Sequence, residues 1–179
     1  MNEILLPQTL TRGALAVICT PHAAAERISP LIVQLALTGP VQILDGGNRL
    51  QAYPLTRLIR RHTLAVEEVS QRIRVRRAFT AYQMLALLEE SQPAPVPWVI
   101  LDWLASFYDE TLSLREAAQL AKRGLARMED LRALAPLILT LAPPPTPARR
   151  VLFEEVCQRA DVLWMEPQEP APPVQPALF

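Results

Sequence analysis

Short apolar runs alternate along the chain with longer stretches in which apolar residues recur every three or four positions. That rhythm predicts parallel strands joined by helical crossovers, an α/β fold. Strands are expected at Ala14 to Cys19, Val41 to Asp45, Ile73 to Phe79, Trp98 to Asp102, Leu137 to Leu141 and Asp161 to Met165. Helices are expected at Pro30 to Leu37, Leu55 to His62, Val66 to Arg72, Tyr82 to Glu90, Leu114 to Leu134 with Ser113 as cap, and Arg149 to Arg159. Most of the strand runs are continuously apolar, as in a sheet covered on both faces, whereas Ile73-Arg74-Val75-Arg76-Arg77 alternates and fits a sheet edge.

Composition adds boundaries. The chain has 179 residues, half of them hydrophobic, enough for one core. Residues 1–166 read as one domain, and 167–179 as a Pro-rich tail too poor in apolar side chains to join it until the final Leu178-Phe179. Equal numbers of acidic and basic residues exclude a whole-molecule field that would drive nucleic-acid or membrane binding. Cys19 and Cys157 lie in separate apolar segments and read as buried small hydrophobes, with no redox role. No targeting pattern and no long apolar span is visible, so a soluble cytoplasmic protein without a membrane partner is expected.

The first strand leads into Thr20-Pro21-His22-Ala23-Ala24-Ala25-Glu26-Arg27, the place where a nucleotide-binding α/β protein carries its phosphate loop. A working GxxxxGK[ST] loop uses glycines to turn backbone amides to phosphate, a lysine for the β and γ charges and a hydroxyl for magnesium. Here those slots hold Thr20, Ala25, Glu26 and Arg27. An alanine forced into a left-handed conformation costs about 1–2 kcal/mol. A carboxylate about 4 Å from a phosphate adds roughly 4 kcal/mol of repulsion at an effective dielectric of 20. Lys122 is the one lysine among 18 basic residues, so the loop cannot supply another. Glu26 reads first as an acid favoured by the dipole at a helix start, which is compatible with a lost site: a carboxylate of the protein where phosphate would sit. Ser29-Pro30 suits a cap and first turn, which predicts a helix that starts late or kinks.

Several segments in this order resemble the RecA/RadA recombinase superfamily. Val41 to Leu50, with its Leu44-Asp45-Gly46-Gly47-Asn48, looks like the family's second strand and following loop; Arg74 to Phe79 with Gln83 looks like its third strand and next helix; Trp98 to Tyr108 looks like its Walker B strand and exit. The resemblance spans roughly Leu10 to Met165 and implies a three-layer sandwich, a mostly parallel sheet with helices on both faces. It also implies where activity should reside. The family's catalytic glutamate falls on or near Gly47, Asp102 keeps the Walker B acid, and Ala142-Pro143 stands where a polar sensor is expected. With Thr20, Ala25, Glu26 and Arg27, these positions describe a degenerate site: no enzyme activity, no cofactor, and Asp102 acting as a strand-end carboxylate that caps the following turn.

What remains points to partners. Arg57, Arg60, Arg61, Arg72, Arg74, Arg76 and Arg77 form the one basic concentration, offset by Glu67 and Glu68, without interleaved aromatics. Arg74, Arg76 and Arg77, together with Arg149 and Arg150 near an expected DNA-binding loop, are the candidate nucleic-acid contacts. The ending Gln175-Pro176-Ala177-Leu178-Phe179 resembles the QxxLF peptide that binds bacterial sliding clamps, with Gln175 at a pocket rim and Leu178 and Phe179 inside it. The function expected is therefore a non-catalytic RecA-like accessory protein of bacterial DNA repair, recombination or translesion synthesis, acting through the sliding clamp or a repair polymerase component and through DNA. Two other readings compete: an atypical NTP-binding ATPase using Asp102 and an arginine, and a structural subunit with no nucleic-acid role. A homo-oligomer is compatible with the resemblance, although the recombinases' N-terminal oligomerisation segment has no obvious counterpart.

Overall fold

A computed structural model describes residues 10–20 and 24–166, with the side chains of 24–26 outside the description. Six strands, β1 (Leu15–Cys19), β2 (Val41–Asp45), β3 (Ile73–Arg77), β4 (Trp98–Leu101), β5 (Leu137–Leu141) and β6 (Val162–Met165), form one sheet in the order β3-β2-β4-β5-β1-β6. Every pairing is parallel. The helices are α1 (Ala24–Thr38), α2 (Ala52–Ile59), α3 (Val66–Gln71), α4 (Ala81–Glu90), α5 (Leu114–Arg132) and α6 (Arg150–Gln158), with short 3-10 turns at Ala105–Tyr108 and Pro147–Arg149.

The two sheet faces explain the sequence pattern. Ala16, Ile18, Ile43, Val99 and Ile138 pack under α1, α2 and α3 through Ile28, Ile32, Leu55, Ile59 and Val69. Their strand neighbours Leu15, Val17, Leu44, Ile100 and Leu139 pack under α4, α5 and α6 through Met84, Leu88, Leu125, Met128, Leu152 and Val156. Because adjacent strand residues point to opposite faces and both faces are covered, β1, β4 and β5 are buried along their whole length. The result is the expected three-layer α/β sandwich of RecA-like architecture. β3 lies at the edge, as its alternating arginines predict, and β6 closes the other edge.

Two helix starts differ from expectation. α1 begins at Ala24 and keeps Pro30 inside it, rather than starting at Ser29-Pro30. Ile28 is buried at 1% exposure beside Leu31 and Ile32, and only a helix already formed before Pro30 places it there. α2 begins at Ala52, with Gln51 as N-cap and Pro54 in the first turn, where the missing amide hydrogen costs nothing. Ser113 caps α5 as expected, its hydroxyl accepting the Glu116 amide.

The cysteines, distant in sequence, meet in space. Cys19 ends β1 and Cys157 lies on α6, with Sγ atoms 3.8 Å apart and both thiols free. Hydrogen bonding to Cys157, reinforced by burial, pushes the Cys19 thiol up, while the bond from Cys19 lowers Cys157. Cys157 is also the more exposed of the two. Iodoacetamide at about pH 8 is expected to alkylate Cys157 at least about tenfold faster than Cys19, read by mass spectrometry of quenched samples. Equal rates would contradict this arrangement.

Candidate functional site

The strands all end on one rim, where the connecting helices of neighbouring strands leave toward opposite faces at β3/β2, β2/β4 and β1/β5, and such switch points are where open α/β sheets form crevices. Two of them, β2/β4 and β1/β5, lie next to the candidate residues.

At the first, Asp45 closes β2 with no exposed surface. Its carboxylate accepts the amides of Arg49 at 3.2 Å and Leu50 at 3.0 Å, folding the Gly46-Gly47-Asn48 loop back over the strand end. Arg77 reaches the same carboxylate from β3 with Nε 3.5 Å from Oδ2. Asp102, just past β4, takes a left-handed backbone with φ of 48°, and Asn48 takes 51°. The Asp102 amide donates to Thr140 Oγ1 at 2.8 Å, and its carbonyl accepts the Ala105 amide at 2.9 Å. The Asp102 carboxylate points to the β2 loop, with Oδ2 3.7 Å from Arg49 Nε. So the turn after β4 is closed by the Asp102 carbonyl, while the carboxylate that caps a loop is that of Asp45.

Gly47 explains itself through Asp102. A Cβ built on Gly47 would lie 2.4 Å from Asp102 Oδ2, and one on Gly46 would lie 2.9 Å from the Asp102 carbonyl. No side chain fits at 47 while Asp102 keeps this pose. Burial raises the Asp102 carboxyl above the usual range; Arg49 opposes that, Asp45 adds to it, and the Thr140 hydroxyl again opposes it.

At the β1 end, Thr20 continues the strand and donates its amide to the Leu141 carbonyl at 2.9 Å. Its hydroxyl donates to one carboxylate oxygen of Glu166, and the Arg27 guanidinium pairs with the other. Glu166 follows β6 directly, and its amide donates to the Cys19 carbonyl at 2.9 Å, so backbone pairing fixes where the carboxylate stands. The first and last residues of the loop-like stretch are thus joined by an acid from the opposite end of the domain. Ala25 and Glu26 lie in α1, but their side chains fall outside the described residues.

A cleft of about 560 Å³ opens beside the β2–β4 switch, lined by Gly46, Gly47, Phe79, Ser106, Tyr108 and Asp109, among others. None of its lining residues is basic. Among the described residues, no group of three or more His, Cys, Asp or Glu side chains is placed to hold a metal ion.

The expected nucleic-acid contacts are scattered. Arg74 is exposed on the edge strand. Arg76 is held to the C-terminal end of α4 through the Leu87 carbonyl at 3.2 Å and Ser91 Oγ, and Arg77 to Asp45 and the Leu50 carbonyl. Arg150 pairs with Glu154 at 2.7 Å. Arg149 departs furthest from expectation: it is 7% exposed and its guanidinium donates to the carbonyls of Asp109 and Leu112, so it braces the segment before α5 rather than facing solvent. Gln175, Leu178 and Phe179 lie outside the described residues.

No family model and no characterised protein matches the chain. Glu166, Asp45, Arg49 and Thr140 are the participants that sequence reasoning missed. Asp45 carried a signal, an acid followed by Gly-Gly-Asn, which favours a side chain folding back on loop amides.

Two outcomes follow from the Gly47–Asp102 contact. Gly47→Ala should destabilise the fold by about 1–3 kcal/mol in urea melts through overpacking, and by much less in an Asp102→Gly background; equal losses in both backgrounds would contradict the contact. The folded state holds the Asp102 proton more tightly than the unfolded chain does. Its contribution to stability is therefore largest in acid and is lost as pH rises from about 4, the unfolded value, through the raised folded value. Asp102→Asn should accordingly melt higher than the parent at neutral pH, with the gap closing below about pH 4.

Proposed function

We propose that the chain is a RecA-like scaffold that does not use nucleotide and works through binding partners in bacterial DNA repair, recombination or translesion synthesis. The observation that carries the first half is Glu166: its carboxylate is bound by Thr20 and Arg27, the residues that a phosphate loop would turn to its ligand. An anion delivered by the chain itself leaves a nucleotide phosphate to compete with it and to suffer its repulsion. Two further features agree. The rim cleft has no basic lining, and the space for a carboxylate side chain at 47 is filled by Asp102.

The partner half of the reading rests on sequence resemblance. Gln175, Leu178 and Phe179 would engage the sliding clamp, with Leu and Phe contributing about 1.5–3 kcal/mol each before ordering costs, the scale of a weak and regulated contact.

Thermal melting with magnesium and ATP tests the first half. A nucleotide present at about 100 times its Kd would add about 2.7 kcal/mol, a rise of roughly 5–11 °C for a domain of this size. No rise is expected at about 5 mM ATP; a rise of several degrees would favour the atypical ATPase. For the second half, a peptide of residues 168–179 should bind a bacterial sliding clamp and lose binding when Leu178→Ala and Phe179→Ala are combined. Undiminished binding by the double variant would remove the clamp from the account.

A further inference from the structure

A groove on the α1–α2 side of the molecule carries a feature that neither the rim nor the tail explains. It is lined by Ser29 of α1 and by Arg49, Gln51, Tyr53, Pro54, Arg57, Leu58 and Arg61, and encloses about 360 Å³. Its layout follows from helix geometry. Leu55 and Ile59 turn inward to the core. Tyr53, Arg57 and Arg61 follow one another at four-residue spacing, so they form a single ridge on the outer side, carried past the end of α2 by the turn that binds the Arg61 amide to the Leu58 carbonyl.

The groove combines unspent charge with an unspent ring. Among the described residues, Arg57 and Arg61 have no ion pair and no side-chain hydrogen bond. Arg49 is 64% exposed and its contact with Asp102 is a loose 3.7 Å. Of the two acids that follow in sequence, Glu68 is bound to Arg72 at 2.6 Å and Glu67 accepts the Gln71 side-chain amide at 3.5 Å, so neither pairs with the groove. Tyr53 is 76% exposed, and Pro54 and Leu58 add apolar surface beside it. In a chain with no net charge, a groove of three guanidinium groups around an open aromatic ring needs a partner that is both anionic and flat. A duplex presents phosphates but hides its base faces, and an acidic peptide offers charge without planar rings. A single strand offers both, phosphates for arginine and splayed bases for an aromatic platform.

We propose that this groove binds single-stranded nucleic acid, with a base stacked on Tyr53 and the flanking phosphates on Arg57, Arg61 and Arg49. Tyr53 stands four residues from both Arg49 and Arg57, an aromatic among basic residues that the sequence pattern alone did not single out. The proposal goes beyond the nucleotide-free scaffold reading and does not depend on it, since an ATP-binding chain could carry the same groove.

Fluorescence anisotropy of the full chain with a labelled oligothymidine of about 12 nucleotides, in about 50 mM salt, tests it. Tyr53→Ala should weaken binding about tenfold and Tyr53→Phe should leave it within about twofold, because the ring face is what stacks. Arg57→Ala combined with Arg61→Ala should lower the slope of log K against log salt by about 1.4, two phosphates at about 0.7 each. Arg115→Ala, exposed on α5 and outside the groove, should change nothing. All these side chains are exposed, and circular dichroism melts verify that each variant folds. The proposal is overturned if the wild type does not bind, if Tyr53→Ala binds as the wild type does, if a duplex of equal length binds more tightly, or if Arg115→Ala is as damaging as the groove variants.

Discussion

An all-parallel sheet delivers its strand ends to one rim, and the polar groups gathered there must be satisfied by loops, by water or by a ligand. This chain satisfies them with its own carboxylates. Asp45 takes two loop amides beyond β2, and Glu166 takes the hydroxyl and guanidinium beyond β1. Asp102 fills the space a side chain at 47 would need. The rest of the rim adapts to these acids: the glycines of the β2 loop, the left-handed Asn48 and Asp102, and the buried Thr140 that fixes the Asp102 amide.

An internal ligand differs from an external one in concentration. A carboxylate tethered by the backbone of β6 faces Thr20 and Arg27 at an effective concentration far above that of any soluble anion, so a competitor's apparent affinity falls in proportion. In the proposed account, that is how a fold built around a strand-end crevice becomes a scaffold: the crevice stays, its contents become part of the protein, and recognition moves to the helix layer and the tail.

Much of the fold was legible because burial on both faces writes itself as continuous apolar runs. β2 and β5 end where the pattern ends, and the arginines of β3 mark the edge. Helix starts were less legible where prolines sat inside or just within a helix, since Pro30 reads locally as a start while tertiary burial of Ile28 extends α1 before it. The site was legible as a set of missing groups and opaque as a set of contacts. Nothing local says that Glu166 reaches Thr20 or that Asp102 reaches Gly47, because parallel pairing brings together residues far apart in the chain. Arg149 shows the converse: a basic pair beside a helix looks like surface, yet one member is buried against carbonyls. Arg57 and Arg61 were visible as part of a basic stretch, but Tyr53 was passed over, and the three became a groove only when the four-residue ridge of α2 met α1.

The central claim is that Glu166 is held as an internal anion by Thr20 and Arg27. A double-mutant cycle of Thr20→Val and Glu166→Gln, followed by urea denaturation, measures that directly. The account predicts a coupling energy of about 0.5–3 kcal/mol, the range for residues in one hydrogen-bonded network. Strictly additive losses would contradict it.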